Sequence, residues 1–174
     1  KAIRRQRQMC IRDRFTYYDR EVLPHKNDDV VNAHAMPGAH AALQAVQDAG
    51  LRCALFTNPS FPQGAIECRM GWGDLADAPF ELVTHMGNTT RCKPDATYYL
   101  EQLQVMGLEP HEVLMVGNDP RRDFPSPACG IQTAYVGQGK PSRATWHGTM
   151  EDFARNFNAV VEAFYEHQVA NELS

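Results

Sequence analysis

The sequence predicts an α/β fold in which a parallel sheet carries helices on both faces. Short apolar segments flanked by turn residues alternate with longer segments whose apolar residues have helical spacing, and this alternation is typical of strand–helix–strand units. The chain has 174 residues, 43% of them hydrophobic, which is enough for one ordinary domain with a sizeable core. No internal repeat or low-complexity linker interrupts the pattern, so we expect a single core domain.

The predicted elements follow in order from Phe15. A first helix in FTYYDREVL is stopped by Pro24, and a second begins after Met36-Pro37-Gly38 and ends at Gly50. Strands are then expected in LRCALFTN, FELVTH, VLMVGN and IQTAYV, separated by helices over 64–71, 94–106 and 126–130. The apolar stripe of MEDFARNFNAVVEAFYEH predicts one closing amphipathic helix.

Charge and cysteine content exclude several classes of function. The formal net charge of -4 and the pI of about 6.0 give no overall footprint for nucleic acid or an anionic membrane. No apolar run has the length of a membrane span, and none follows the basic start as a signal peptide requires. The five cysteines are scattered, without a C-x-x-C pair, which argues against a disulfide framework or zinc site. We therefore expect a cytoplasmic protein, and its oligomeric state is open.

The first residues stand apart from this pattern. Residues 1–14, KAIRRQRQMCIRDR, have neither a helical stripe nor strand alternation, and QMCIRDR looks like translated sequencing adapter. We interpret 1–14 as a non-native segment. A genuine basic tail that contacts nucleic acid is the alternative.

Polar side chains follow three of the predicted strands, at the point where each strand ends. Ligands bind outside the carboxyl ends of the strands in an open parallel sheet, so these residues are expected to converge on one edge. They are Thr57 and Asn58 after the first strand, Thr84 and His85 after the second, and Asn118, Asp119 and Asp123 after the third.

The acidic pair Asp119 and Asp123 is a candidate metal site. Two like charges at short range favour a hard divalent cation, and Mg²⁺ suits oxygen ligands with a phosphate partner. The alternative is that Asp119 caps the following turn and Asp123 caps a helix.

Lys93 and Thr57 are candidate anion-binding residues. Lys93 precedes a proline at the start of a helix, where the dipole disfavours a cation, so it needs an anionic partner such as the acidic pair. Thr57 offers a hydroxyl and a backbone N–H in a loop stiffened by Pro59 and Pro62, and both could donate to an oxyanion. A solvated surface lysine and a strand-terminating Thr-Asn turn are the alternatives.

Taken in order, these residues resemble the motifs of the haloacid dehalogenase-like hydrolase superfamily, mainly phosphatases. Thr57 in LFTN, Lys93 in CKPD, and Asp119 with Asp123 in VGNDPRRD match the family's second, third and fourth motifs in identity, order and spacing. The resemblance covers about residues 36–153. It implies a Rossmann-like core and a family subgroup of bacterial phosphatase-like hydrolases.

The resemblance also implies a reaction and roles for the residues. A phosphate monoester would be hydrolysed through an aspartyl-phosphate with Mg²⁺, the substrate being a small phosphorylated compound. Thr57, Asn58 and Lys93 would bind the phosphoryl oxygens, Asp119 would bind the metal, and Asp123 would hold Lys93 or the metal. Asn118 departs from the family pattern if the acidic residue is aligned there, and aligning Asp119 instead restores the acidic pair.

The family's first motif is missing. It is D-x-D after an N-terminal strand and supplies the nucleophile, whereas this sequence has no two aspartates two positions apart. We therefore expect residues 15–35 to be a remnant of the family's cap region and 36–174 the core domain, with the first strand and most of the cap absent. On this interpretation we expect the chain alone to be inactive and its parent protein to be a hydrolase of this superfamily.

Two other functions stay open at this point. An intact chain without the nucleophile would be a non-catalytic phosphate- or partner-binding module on the same fold. A phospho-accepting signalling domain shares the alternating sheet, but its acidic pair comes early and its lysine late, the reverse of the order here.

Overall fold

The computed structural model describes residues 13–27 and 32–172. The segment interpreted as non-native, 1–14, lies almost wholly outside the described residues. Residues 13–17 are helical and continue into a π-helical turn, Tyr18–Val22, and a 3₁₀ turn, Leu23–Lys26. These turns pack against the helix Gln63–Trp72. No helix among the described residues has the length and apolar character to cross a membrane.

Helices and strands alternate through the rest of the chain. The helices are α1 (Ala39–Asp48), α2 (Gln63–Trp72), α3 (Ala96–Met106), α4 (Met150–Arg155) and α5 (Phe157–Glu172). The strands are β1 (Ala54–Leu55), β2 (Leu82–Val83), β3 (Leu114–Gly117), β4 (Gln132–Val136) and β5 (Trp146–Gly148). Short 3₁₀ turns, Pro110–Glu112 and Pro127–Cys129, precede β3 and β4.

The strands form two parallel sheets. β1 pairs with β2, Leu55 lying opposite Val83, and β3, β4 and β5 pair in that order, with Gly117 opposite Tyr135. Within the described residues β1 and β3 are not paired with each other. Each therefore has one edge whose backbone groups lack a neighbouring strand.

Alternation along β3 shows that helices cover both faces of the larger sheet. Leu114 and Val116 pack in one core with α1, α4 and α5, a core that includes Phe153 and Val160. Met115, between them, packs in a second core against α3. Successive strand side chains point to opposite faces, so the two cores lie on opposite sides. The predicted α/β fold with helices on both faces is confirmed.

Local sequence explains where the helices begin and end. Asp95 caps α3, its Oδ1 accepting a hydrogen bond from the Thr97 N–H at 2.8 Å, and Gly107 ends it in the left-handed region with φ 65°. Thr149 and Asp152 form a reciprocal capping box at α4. Gly38, with φ 85°, precedes α1 where a Cβ would lie 2.6 Å from the Glu151 nitrogen. The start of α1 thus packs closely on the start of α4.

Two parts of the element prediction are wrong. β5 was not expected, because its three residues have no apolar run and are placed only by pairing with β4. The closing helix is two helices, α4 and α5, which are separated at Asn156 (φ −104°, ψ 21°). The Asn156 side-chain amide donates to the Asp152 carbonyl at 2.8 Å, competing with the backbone for a helical acceptor.

Candidate active site

Lys93 and Asp123 form a buried ion pair at the carboxyl end of β3. The Lys93 Nζ lies 2.6 Å from Asp123 Oδ1, and the two side chains are only 9% and 13% exposed. Lys93 lies just before α3, so the pair joins this helix to the loop after β3. A buried pair of this kind is held only when the remaining oxygens also find donors.

The second carboxylate oxygen of Asp123 has such donors. Asp123 Oδ2 accepts hydrogen bonds from the Asn118 N–H at 3.1 Å and the Asp119 N–H at 3.0 Å. Gly117 makes room for the carboxylate, since a Cβ there would lie 2.6 Å from Asp123 Cβ. Both oxygens of Asp123 are therefore engaged by protein donors.

Asp119 has a different environment. Its Oδ1 accepts from the Arg121 N–H at 3.0 Å and the Arg122 N–H at 3.3 Å, so the side chain caps the turn that follows β3. Its Oδ2 lies 3.6 Å from Arg122 Nε, and the two side chains are 80% (Arg122) and 42% (Asp119) exposed. The outer oxygen of Asp119 thus faces solvent with one long ionic contact.

Thr57 ends the ladder between β1 and β2 through side chains. Its N–H donates to Thr84 Oγ1 at 2.7 Å, and its hydroxyl donates to the Thr84 carbonyl at 2.7 Å. Both donors that were expected to face an oxyanion are bound to Thr84 instead. The backbone N–H of exposed Asn58, next along the loop, has no acceptor within the described residues.

Two adjacent tyrosines on α3 reach both loops. Tyr98 Oη donates to the Thr57 carbonyl at 2.7 Å, and Tyr99 Oη donates to the Asp123 carbonyl. Both tyrosines are fully buried, and burial raises the pKa of the Tyr98 phenol to about 12 and raises that of Tyr99 as well. Thr57 and Asp123, in loops that follow strands of different sheets, are thereby connected through one helix.

The donor set fits part of a magnesium site. Among residues 13–27 and 32–172 no group of three or more His, Cys, Asp or Glu side chains could hold a metal ion. Asp119 offers its outer oxygen, and Asn118, the preceding residue in the loop after β3, has an exposed side chain. Both are oxygen donors that Mg²⁺ accepts, but they supply only a fraction of its six positions.

Sequence reasoning missed the tyrosines and the role of Thr84. Thr84 was noted as a residue at a strand end, but nothing in one sequence shows that its hydroxyl accepts from Thr57. The YY pair in ATYYLEQL has helical spacing typical of core residues. The one available signal was their position five and six residues after Lys93, which places them in the first turn of the helix that carries Lys93 to the site.

A match to a protein-family model decides the family. Residues 4–129 match the model described as haloacid dehalogenase-like hydrolase, which is more than half of the chain. The chain belongs to the haloacid dehalogenase-like hydrolase family. The match begins inside segment 1–14, whose interpretation as non-native stays a prediction.

Relatives of this hydrolase family are similar in sequence and fold. The chain is 30% identical to phosphoglycolate phosphatase from Rhodospirillum rubrum over 113 residues. The aligned region covers 64% of this chain and 45% of that protein. The fold of this chain is similar to that of β-phosphoglucomutase from Clostridium difficile, with a TM-score of 0.64 and 15% identity over 77% of this chain and 58% of that one. It is also similar to a family hydrolase from Deinococcus radiodurans with bound phosphate and sodium (TM-score 0.58, 20% identity, 74% and 59%).

The chain thus spans about half the length of the relatives it matches. The two solved structures share its fold at low identity, so they bear on architecture alone.

Proposed function

We propose that this chain is the C-terminal part of a phosphohydrolase that cleaves small phosphate monoesters through an aspartyl-phosphate. The observation that carries the proposal is the buried Lys93–Asp123 pair at the carboxyl end of a parallel strand. A lysine held there supplies positive charge for a phosphoryl group, and the Asn58 N–H and the Thr57 hydroxyl, after β1, are the proposed hydrogen-bond donors. Family membership and the phosphatase relative support the same reaction class.

The nucleophilic aspartate is proposed to come from a strand outside this sequence. The sequence has no D-x-D motif, and β1 and β3 each have an unpaired edge among the described residues. Phe56, after β1, and Met115 of β3 pack in the same core against α3. A strand between β1 and β3 would pair with both edges, and its carboxyl end would bring a carboxylate near Lys93 and Thr57.

The residues of this chain would bind and orient the phosphoryl group. Lys93 neutralises its charge while Asp123 fixes the ammonium, because both Asp123 oxygens already have protein donors. The Asn58 N–H donates to a phosphoryl oxygen, and the Thr57 hydroxyl does so after leaving the Thr84 carbonyl. A second carboxylate of the missing motif would move the leaving-group proton.

Magnesium would be held by Asp119, with Asn118 beside it and the remaining ligands from the nucleophile segment and the substrate. When bound, the ion neutralises phosphoryl charge and orients the group for attack. This assignment leaves Asp123 to hold Lys93, the first of the two roles considered for it.

A phosphatase assay tests the proposal. The native reading frame extended upstream through a D-x-D motif should hydrolyse p-nitrophenyl phosphate with Mg²⁺, whereas the chain alone should not. Lys93→Met in the extended protein should lower kcat by roughly a hundredfold or more, as loss of one charged stabilising group does. Lys140→Met, which changes an exposed lysine, is the matched control and should leave kcat unchanged.

The non-catalytic module is the competing function. It is favoured by the absence of D-x-D from the sequence. It predicts that the native protein has no upstream D-x-D motif, binds inorganic phosphate without turnover, and loses this binding in Lys93→Met. That result would favour the binding module over the proposed hydrolase.

A further inference from the structure

The backbone of Thr57 is held on both sides by a closed ring of hydrogen bonds. Its N–H donates to Thr84 Oγ1 at 2.7 Å, and its carbonyl accepts from Tyr98 Oη at 2.7 Å. Thr84 Oγ1 and Tyr98 Oη lie 2.8 Å apart. Tyr98 has one proton, which it gives to Thr57, so the Thr84 hydroxyl donates to Tyr98.

This direction is also the shortest one open to Thr84. Its other acceptors are the Leu55 carbonyl at 3.3 Å and the Thr57 carbonyl and hydroxyl at 3.4 Å. Thr84 and Tyr98 are both 0% exposed, so water does not compete for these bonds. The ring therefore fixes the peptide groups on either side of the Thr57 side chain.

Tyr99 holds the other loop in a comparable way. Its hydroxyl donates to the Asp123 carbonyl, while Lys93, from the same segment, binds Asp123 Oδ1 at 2.6 Å. The Tyr98 and Tyr99 rings pack edge to face with centroids 5.1 Å apart, and Phe56 packs against both. Movement of one ring is thus restricted by the other.

The two hydroxyls stay donors over the ordinary pH range. Burial disfavours the phenolate, so both tyrosines remain protonated where a solvent-exposed phenol would begin to ionise. A phenolate could not donate to either carbonyl.

We propose that Tyr98 and Tyr99 are positioning residues that set the spacing between the Thr57 and Asp123 loops. Consecutive residues in the first turn of α3 bind one carbonyl in the loop after β1 and one in the loop after β3, two strands that are not paired with each other in the described part of the chain. Tyr98 orients Thr57 and Asn58, and Tyr99 orients the Lys93–Asp123 pair. The role rests on the proposed function, because it concerns the groups assigned to the phosphoryl oxygens.

Phenylalanine variants separate the two arms. Tyr98→Phe removes the bond to the Thr57 carbonyl and the bond that orients Thr84, so it should raise the hydrogen-exchange rate of the Thr57 amide about five- to tenfold and leave the Lys93 ammonium unchanged. Tyr99→Phe should raise the exchange rate of the Lys93 ammonium protons in NMR spectra by a similar factor and leave Thr57 unchanged. Rates are compared after correction for global unfolding.

Two controls keep the test specific. Tyr135→Phe removes the same kind of bond, from a tyrosine hydroxyl to the Gln138 carbonyl at 3.0 Å, outside the two loops, and should change neither signal. Thr84→Ser keeps the hydroxyl of the ring and should behave as wild type. Thr84→Val removes the acceptor of the Thr57 N–H and should raise the exchange rate of that amide at least as much as Tyr98→Phe.

The inference is supported by a crossed pattern, in which Tyr98→Phe changes only the Thr57 signal and Tyr99→Phe changes only the Lys93 signal. Equal changes at both positions, or no change at either, would overturn it. Neither readout needs turnover. A crossed pattern without hydrolysis in the extended protein would refute the proposed function alone, and hydrolysis without the pattern would refute only the positioning role.

Discussion

Burial distinguishes the Lys93–Asp123 pair from the surface ion pairs. Arg155 and Asp152 also form an ion pair, at 3.2 Å, but their side chains are 71% and 41% exposed. Water screens an exposed pair, so its contribution is small, whereas a buried charge left without its partner is costly. The two pairs therefore provide a matched comparison on one chain.

Lys93→Met should lower the free energy of unfolding much more than Arg155→Met. We expect about 3 kcal/mol for Lys93→Met, at the low end for a buried pair because two amides still bind Asp123. Arg155→Met should cost at most about 1 kcal/mol. Urea unfolding measures both, and equal losses would contradict the burial argument.

The buried phenol of Tyr98 predicts a loss of stability at high pH. Below pH of about 10 the phenol is neutral in both folded and unfolded chains. Above it the unfolded chain loses the proton, while burial keeps the folded pKa at about 12, so this contribution to stability falls between those two values.

Urea unfolding of wild type and Tyr98→Phe across this pH range measures the effect. The wild type should lose more stability than the variant, because other titrating groups are common to both. Parallel curves would show that Tyr98 does not carry a raised pKa.

Single residues show what sequence could and could not reveal about the site. Asp119 and Asp123 were predicted from their position after a parallel strand, and Lys93 from its place at the start of a helix, where a cation needs an anionic partner. The sequence did not show which of the two carboxylates pairs with Lys93 and which keeps an oxygen exposed to solvent. This difference depends on which backbone N–H groups point at each oxygen, and that follows from the turn after Gly117 rather than from residue type.

At the scale of elements, the contact between α1 and α4 makes a specific demand on Gly38. Its φ of 85° and its 2.6 Å approach to the Glu151 nitrogen both exclude a Cβ. Gly50 has φ 65° as well, but a Cβ there meets nothing within 4 Å. A comparison of the two glycines therefore separates the cost of a positive φ from the cost of a packing clash.

Gly38→Ala should therefore destabilise the chain more than Gly50→Ala. The conformational cost is shared, so the difference, about 1–3 kcal/mol, reports the forced separation of α1 and α4. Thermal or urea unfolding of the two variants gives the comparison. Equal destabilisation would mean that the helices separate freely.

The elements also show why helix prediction succeeded better than strand prediction. α1 was recognised because its Pro37-Gly38 start and its Gly50 stop act locally. β1 and β2 are two residues long instead of the expected runs, since the Thr57 and Thr84 side chains take over the ladder. Ladder ends depend on a partner strand that one local sequence does not display.

In the molecule as a whole, the main structural consequence of the two-sheet arrangement is that β1 and β3 each have an edge that no strand of the described residues pairs with. Edges with free N–H and C=O groups are templates for pairing with another chain. The isolated chain should therefore be poorly soluble or unstable on purification. Light scattering and thermal unfolding test this, and a monomer with a sharp cooperative transition would contradict it.

We propose that a strand carrying the nucleophile pairs between β1 and β3. The native genomic sequence upstream of Phe15 is the most direct test of this strand. We predict an in-frame apolar strand that ends in D-x-D, within roughly one further half-domain of sequence. A native start codon close to Phe15, with no such strand before it, would contradict the account and leave a non-catalytic binding module.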